Sequence, residues 1–318
     1  MRARRELAAR ARAELLAAGA GGTSAAPEGP WVRELTAVVK TFERPCCVVR
    51  FLRSLRRHYP TLGVLVCDDS REPLFPDRCE PLPGVTWLVL PFEAGHTLGA
   101  GRNHLVANVK TPFLFVSDDD HLITPGTRLP AMLAFLQESG YDLVACAPGR
   151  HSYGAATFDQ VGDVVYQRFH EHRGLVAPRV VRCDRVSNVF VARTEAVRRV
   201  LWEDRVYANE HADFFLRATR EGLRIAQMGG AFVDHDRRCE APSGLVGRLL
   251  GRLLPHPDGR YRALRLGGGP ETGGSRARRA RELYRQHVLE KNGIRAIVDV
   301  KRRSARRDLD RLIGPPTG

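Results

Sequence analysis

Short apolar runs that end in acidic or polar residues, each separated from the next by a helix-spaced segment, constrain this chain most. Leu35 to Lys40 reads as a strand that exits into Thr41-Phe42-Glu43-Arg44. Pro45 to His58 follows with Val48, Phe51, Leu52 and Leu55 at helical spacing, and Val64 to Cys67 is a second strand running into Asp68-Asp69-Ser70. Val85 to Leu90, a helix over Gly101 to Asn108, Phe113 to Ser117, a helix over Thr127 to Ser139, and Leu143 to Ala147 continue the alternation. Strands alternating with helices imply an α/β, doubly wound parallel sheet. Ligands in such sheets bind beyond the carboxyl ends of the strands, so the residues just past each strand are the candidate site.

Beyond residue 150 the alternation weakens. The stretch 151–182 reads as irregular; Val186 to Ala192 reads as a strand, Thr194 to Leu201 and Glu210 to Glu221 as helices, and Leu223 to Asp234 as one or two strands. The expected organisation is a basic amphipathic helix and linker over 1–30, a globular α/β domain over 31–240, and an Arg-rich tail over 241–318 with helices broken by Gly-rich stretches.

Charge supports that division. Residues 1–33 hold six Arg against three Glu, and 241–318 hold eighteen Lys and Arg against seven acids, so the terminal segments account for the whole net charge of +14. Such segments can be a solvated helical face, the bland reading, or can suit an anionic membrane surface or an acidic acceptor; no RNP-type aromatic motif or zinc finger accompanies them, and nucleic acid is the least expected partner. No run of about 18 apolar residues is present to span a bilayer, and the first twenty residues are too interrupted by Arg10, Arg12 and Glu14 for a secretory signal. Seven scattered cysteines without a CxxC pair suggest reduced thiols and a cytoplasmic setting, peripheral to a membrane at most.

Asp118-Asp119-Asp120 follows the apolar run Phe113 to Ser117. Three adjacent carboxylates repel one another, and a hard divalent cation, Mg²⁺ or Mn²⁺, shared with a diphosphate relieves the repulsion; a helix N-cap cluster is the competing structural reading. Asp68 and Asp69 can accept hydrogen bonds from a base or ribose, or simply open a turn. Thr41 and Arg44 could meet a nucleotide from its other side. Gly99-Ala100-Gly101-Arg102-Asn103 begins a helix, where the backbone can approach a phosphate and Arg102 can face it.

The series TFERP, CDDS, AGRN, VSDDDH, SNVF, HADFF and VDH over residues 35–236 resembles the nucleotide-sugar-dependent glycosyltransferases of the GT-A fold, in particular the ganglioside-type β-1,4-N-acetylgalactosaminyltransferases and bacterial family 2-like relatives. The resemblance implies a Rossmann-like mixed sheet, a UDP-sugar donor, a divalent metal, and inverting transfer to a hydroxyl of a glycan or glycolipid. By it, Asp68 or Asp69 contacts uridine, Asp118 the ribose or sugar with a share in the metal, Asp120 the metal, and His235 reaches the metal from the far side. Asn188 matches an asparagine that contacts donor sugar or acceptor. The family's general base stands just before an aromatic pair, which falls on Asp213, with Glu210 as the competitor three residues earlier on the same helix face.

His170-Glu171-His172 lacks HExxH spacing and stays unassigned. The stem and anchor of the animal enzymes have no counterpart that the sequence shows, so neither their localisation nor their acceptor carries over. Two other functions compete: a sugar-1-phosphate nucleotidyltransferase, which would place a Gly-rich basic loop where TFERP stands, and a non-catalytic domain that binds an acidic partner through its tail.

Overall fold

The computed structural model describes residues 2–20, 29–94, 96–149, 154–170, 180–206, 209–235 and 273–300. A leading helix α1 (Arg2–Ala20) precedes β1 (Leu35–Thr41), α2 (Pro45–His58), β2 (Gly63–Asp68), β3 (Cys79–Leu82), β4 (Val85–Val89), α3 (Leu98–Asn108), β5 (Phe113–Asp118) and β6 (His121–Leu122). Then come α4 (Leu129–Glu138), β7 (Leu143–Ala147), β8 (Ala156–Val161), β9 (Val164–Phe169), β10 (Val180–Cys183), β11 (Phe190–Arg193) and α5 (Thr194–Val200). The last elements are α6 (Glu210–Arg220), β12 (Ile225–Phe232), β13 (Asp234–His235), α7 (Gly273–Lys291) and β14 (Ala296–Val300).

Nine strands form one sheet in the order β10-β12-β7-β11-β5-β1-β2-β4-β3. The pairs β1–β2, β1–β5, β2–β4 and β12–β7 are parallel, whereas β11 runs antiparallel to both β5 and β7, and β3 and β10 are antiparallel edge strands. The sheet is therefore mixed, not uniformly parallel. The chain winds outward from β1 through β2 and β4, then returns to place β5 on the other side of β1. That reversal opens a crevice between the carboxyl ends of β1 and β5.

Both sheet faces are covered. On one, Val48, Phe51, Leu52 and Leu55 of α2 and Met132, Leu133 and Leu136 of α4 pack on Ala37, Val39, Phe115 and Val144. On the other, Leu105 and Val106 of α3, Val197 of α5 and Phe214 and Phe215 of α6 pack on Val38, Leu114, Val116 and Phe190. Alternate residues of one strand thus enter opposite cores, as the pleat requires. The leading helix joins the first core through Ala11 and Leu15, and Arg12 Nε donates to the Leu74 carbonyl at 2.6 Å.

Three further expectations are corrected. The stretch taken as irregular holds β8 and β9, a hairpin closed by Gly162-Asp163 with Gly162 at φ +55°, as well as β10. The segment from 241 is not wholly a separate tail: β14 pairs in parallel with β9, from Ala296 opposite Val164 to Val300 opposite Arg168, and Ile294 packs with Val165 and Leu216. The strand expected over 186–192 is hydrogen-bonded as β11 only from Phe190. No described helix is long and apolar enough to cross a membrane.

Candidate active site

The carboxyl ends of β1, β2 and β5, the start of α3 and the β12–β13 turn meet on one edge of the sheet. Thr41 closes β1 and donates its hydroxyl to Asp119 Oδ2 at 2.8 Å. Glu43 then takes a left-handed turn at φ 56°, a conformation unfavourable for a side-chain-bearing residue. The turn is held by its own amide, which donates to Ser70 Oγ at 2.6 Å, and by its carboxylate, which accepts from the Arg71 amide at 2.8 Å. Arg44 follows and bridges Asp119 (3.0 Å) and Asp120 (2.8 Å).

The acidic triplet divides three ways. Burial pushes the Asp119 carboxyl up to about 7 against the opposing pull of Arg44. Burial also acts upward on Asp120, but the hydrogen bond from His235 and the charge of Arg44 outweigh it and hold this carboxyl well below the usual range. Asp118 turns away from both and accepts from Arg102 Nη2 at 2.8 Å.

Candidate metal ligands gather where β6 pairs with β13. Donor atoms of Asp120, His121 and His235 lie within 4.8 Å of one another, and His235 Nε2 is 3.2 Å from Asp120 Oδ2. The set fits a divalent ion that accepts both carboxylate and imidazole ligands. His121 was not among the residues expected from sequence. Its Nδ1 accepts from the Asp118 amide at 3.2 Å, which leaves the proton on Nε2, and burial keeps its pKa below the ordinary value. With that lone pair committed, His121 orients the Asp118–His121 turn, while Asp120 and His235 retain ligand capacity. Asp118, expected to share the metal, lies outside this cluster.

A second group adjoins the first through Arg102. This buried guanidinium donates Nη2 to Asp118 and Nη1 to Glu210 at 3.2 Å, and stands over the Trp202 ring at 5.6 Å. The Asn188 amide, oriented by its neighbours, puts its oxygen 2.9 Å from Arg102 Nη2 and donates to His211 Nδ1 at 2.7 Å. His211 is neutral: burial first, then the charges of Arg185 and Arg102, hold its pKa well below the ordinary value.

Other expected site residues serve the scaffold. Asp213 is fully buried; its oxygens accept from Arg217 Nε (2.8 Å), Lys291 Nζ (3.3 Å) and Asn292 Nδ2 (2.8 Å). Arg217 in turn binds the carbonyls of Val200 and Leu201, where Leu201 itself has a positive φ of 52°. A carboxylate so saturated is closed to an incoming hydroxyl. Asp68 spends one oxygen on the Ser70 amide and the other on the Leu74 amide, each at 3.0 Å, and so caps its own loop. Asp69 is ion-paired with buried Lys40.

Asn103 grips the Trp202 backbone, donating to its carbonyl at 2.9 Å and accepting from its amide at 2.8 Å, instead of facing a phosphate. Gly99 and Gly101 provide room within the protein itself. A Cβ on Gly99 would lie 2.2 Å from the Glu203 carbonyl oxygen, and one on Gly101 would lie 2.4 Å from Lys40 Cε. Of the His170-Glu171-His172 stretch, all but His170 lies outside the described residues.

Comparison with known proteins gives the family of the chain. The family model of glycosyl transferase family 2 matches residues 36–201, and the chain belongs to that family. Its mixed sheet, reversed at β1 and β5, is the GT-A architecture expected from the motifs. The human β-1,4 N-acetylgalactosaminyltransferase 1 is 34% identical over 219 residues, covering 65% of this chain and 40% of that protein. The mouse β-1,4 N-acetylgalactosaminyltransferase 2 is 29% identical over 208 residues, covering 64% and 39%. The chain thus spans about two-fifths of the length of these curated relatives. Among solved structures, Staphylococcus aureus TarS 1–349 in complex with UDP-GlcNAc is similar with a TM-score of 0.46 and 16% identity, covering 63% of this chain and 57% of that one.

Proposed function

We propose that this chain is an inverting, divalent-metal-dependent glycosyltransferase that moves an N-acetylhexosamine or hexose from a UDP-sugar to a hydroxyl of a glycan or glycolipid, with Glu210 as the general base. The observation that carries the reading is the Asp118–Arg102–Glu210 chain, which joins the end of β5 to the start of α6 beside the Asp120–His235 pair. The relatives' printed activity supports an N-acetylhexosamine.

In this reading Asp120 and His235 hold the cation, which when bound neutralises the departing diphosphate. Glu210 receives the proton of the acceptor hydroxyl as that oxygen bonds to the anomeric carbon and the bond from that carbon to the diphosphate oxygen breaks, releasing UDP. One base suffices for a single displacement with inversion. Arg102 fixes the spacing between this base and Asp118, which faces the donor. Asp213, the expected base, is replaced in that role because its carboxylate is sealed among Arg217, Lys291 and Asn292.

The same proposal has the Arg-rich stretches 241–272 and 301–318, which lie outside the described residues, meet an anionic surface or acceptor in a cytoplasmic setting. The test is UDP release from a panel of UDP-sugars with Mn²⁺ and with EDTA. Metal-dependent release from at least one sugar is expected; release from none, or release indifferent to EDTA, rejects the reading.

A further inference from the structure

The beginning and the end of the site's wiring lie far apart in sequence, and one lysine connects them. Lys291, the last residue of α7, places Nζ 2.5 Å from Glu203 Oε2 and 3.3 Å from Asp213 Oδ2. Both carboxylates are buried; without the ammonium Asp213 would keep Arg217 and Asn292, but Glu203 would lose its closest cation and with it the link between the two acids. Each belongs to an element that carries a site residue. The Trp202–Glu203 segment is seated on the first turns of α3: Asn103 grips Trp202, and the Glu203 carbonyl presses on Gly99, three residues before Arg102. Asp213 lies one turn beyond Glu210 on α6.

Neighbouring contacts make the attachment stiff. Asn292 donates to Asp213 at 2.8 Å, its carbonyl accepts from Arg220 at 2.8 Å, and Ile294 and β14 then pack and pair against β9. We propose that Lys291 is a positioning residue that sets the distance between Arg102 and Glu210, by tying the segment seated on α3 to the helix that carries the base. The inference rests on the glycosyltransferase reading for its catalytic consequence, though not for its structural one.

The experiment uses the full chain with Lys291→Met and, as the charge-retaining control, Lys291→Arg. Hydrogen–deuterium exchange over 203–217 is expected to quicken in the Met variant and return towards the parent in the Arg variant. The Met variant should lose ten- to a hundredfold in kcat, the scale of a misplaced catalytic group, while its Kd for UDP with Mn²⁺ stays within about twofold. Unchanged exchange over 203–217, exchange quickened equally in β1, β5 and β12, or an Arg variant no better than Met would each overturn the proposal. A parent protein that releases UDP from no UDP-sugar would sink the glycosyltransferase reading alone, because the exchange measurement is independent of turnover.

Discussion

Asp118 and Glu210 share one guanidinium: Arg102 donates Nη2 to the first at 2.8 Å and Nη1 to the second at 3.2 Å. Asp118 ends a central strand and Glu210 opens a helix distant in sequence, so Arg102 ties the ends of two elements of one core into one site with a fixed gap. A planar guanidinium does this better than an ammonium, because its donors point in set directions. Arg102→Lys keeps the charge and removes the geometry. We expect it to lower transfer more than it lowers UDP binding, as read by kcat against calorimetric Kd.

The two acidic residues of α6 separate by phenotype. Glu210→Gln should reduce kcat on the order of 10²–10⁴-fold, the range of a general base, with UDP binding intact. Asp213→Asn should instead lower the melting temperature, since the loss of one member of a buried, charge-paired group costs about 3–5 kcal/mol. Full transfer by Glu210→Gln in a folded protein would return the base assignment to Asp213.

His235→Ala should weaken Mn²⁺-dependent UDP binding by at least about tenfold, the loss usual for a perturbed metal site, and leave metal-free binding as it was. Calorimetric titration with and without EDTA reads both. Equal weakening in the two conditions would show that His235 serves Asp120 and not the ion.

Acid should loosen the Lys291 attachment. Burial acts upward on Glu203, but the hydrogen bond from Lys291, the Arg205 amide and the Lys291 charge prevail and bring its pKa from 4.5 down to about 2. His287 Nε2 is the other facing group, at 3.6 Å. A depressed carboxyl pKa contributes stability that is present above the unfolded value and is lost as pH falls from 4.5 towards 2. Melting temperature followed over that window should fall less steeply in Glu203→Gln than in the parent; identical slopes would remove Glu203 from the acid response.

Gly99→Ala should destabilise by about 1–3 kcal/mol, as overpacking does, because its new methyl meets the backbone oxygen of Glu203. The obstacle to Gly101→Ala is the Lys40 side chain, which is buried and paired with Asp69, and we expect a smaller loss there. Denaturant midpoints of the two variants check the order.

Most of the central sheet and the place of the site were legible in the sequence because buried strands are short apolar runs with abrupt polar ends. Leu143 to Ala147 coincides with β7 for that reason, and Pro45 to His58 with α2 because its apolar residues recur at helical spacing. The hairpin of β8 and β9 was obscured by polar residues such as Asp159, Gln160, Gln167 and Arg168 within its strands, although Gly162-Asp163 is a readable two-residue turn. The sealing of Asp213 was not legible at all. It depends on Lys291 and Asn292, whose contact with Asp213 no local pattern announces.

The parallel pairing of β14 with β9 also bears on how the molecule is made. On the ribosome, residues 296–300 are synthesised after every other element of the site. A nascent chain that has reached His235 already holds all strands of the nine-stranded sheet, yet it has no Lys291 or Asn292 to hold Asp213. The contacts of Lys291 and Asn292 with α6 are therefore among the last of its contacts to be synthesised. A premature stop after His235 would yield a chain whose main sheet is complete and whose α6 lacks its anchor.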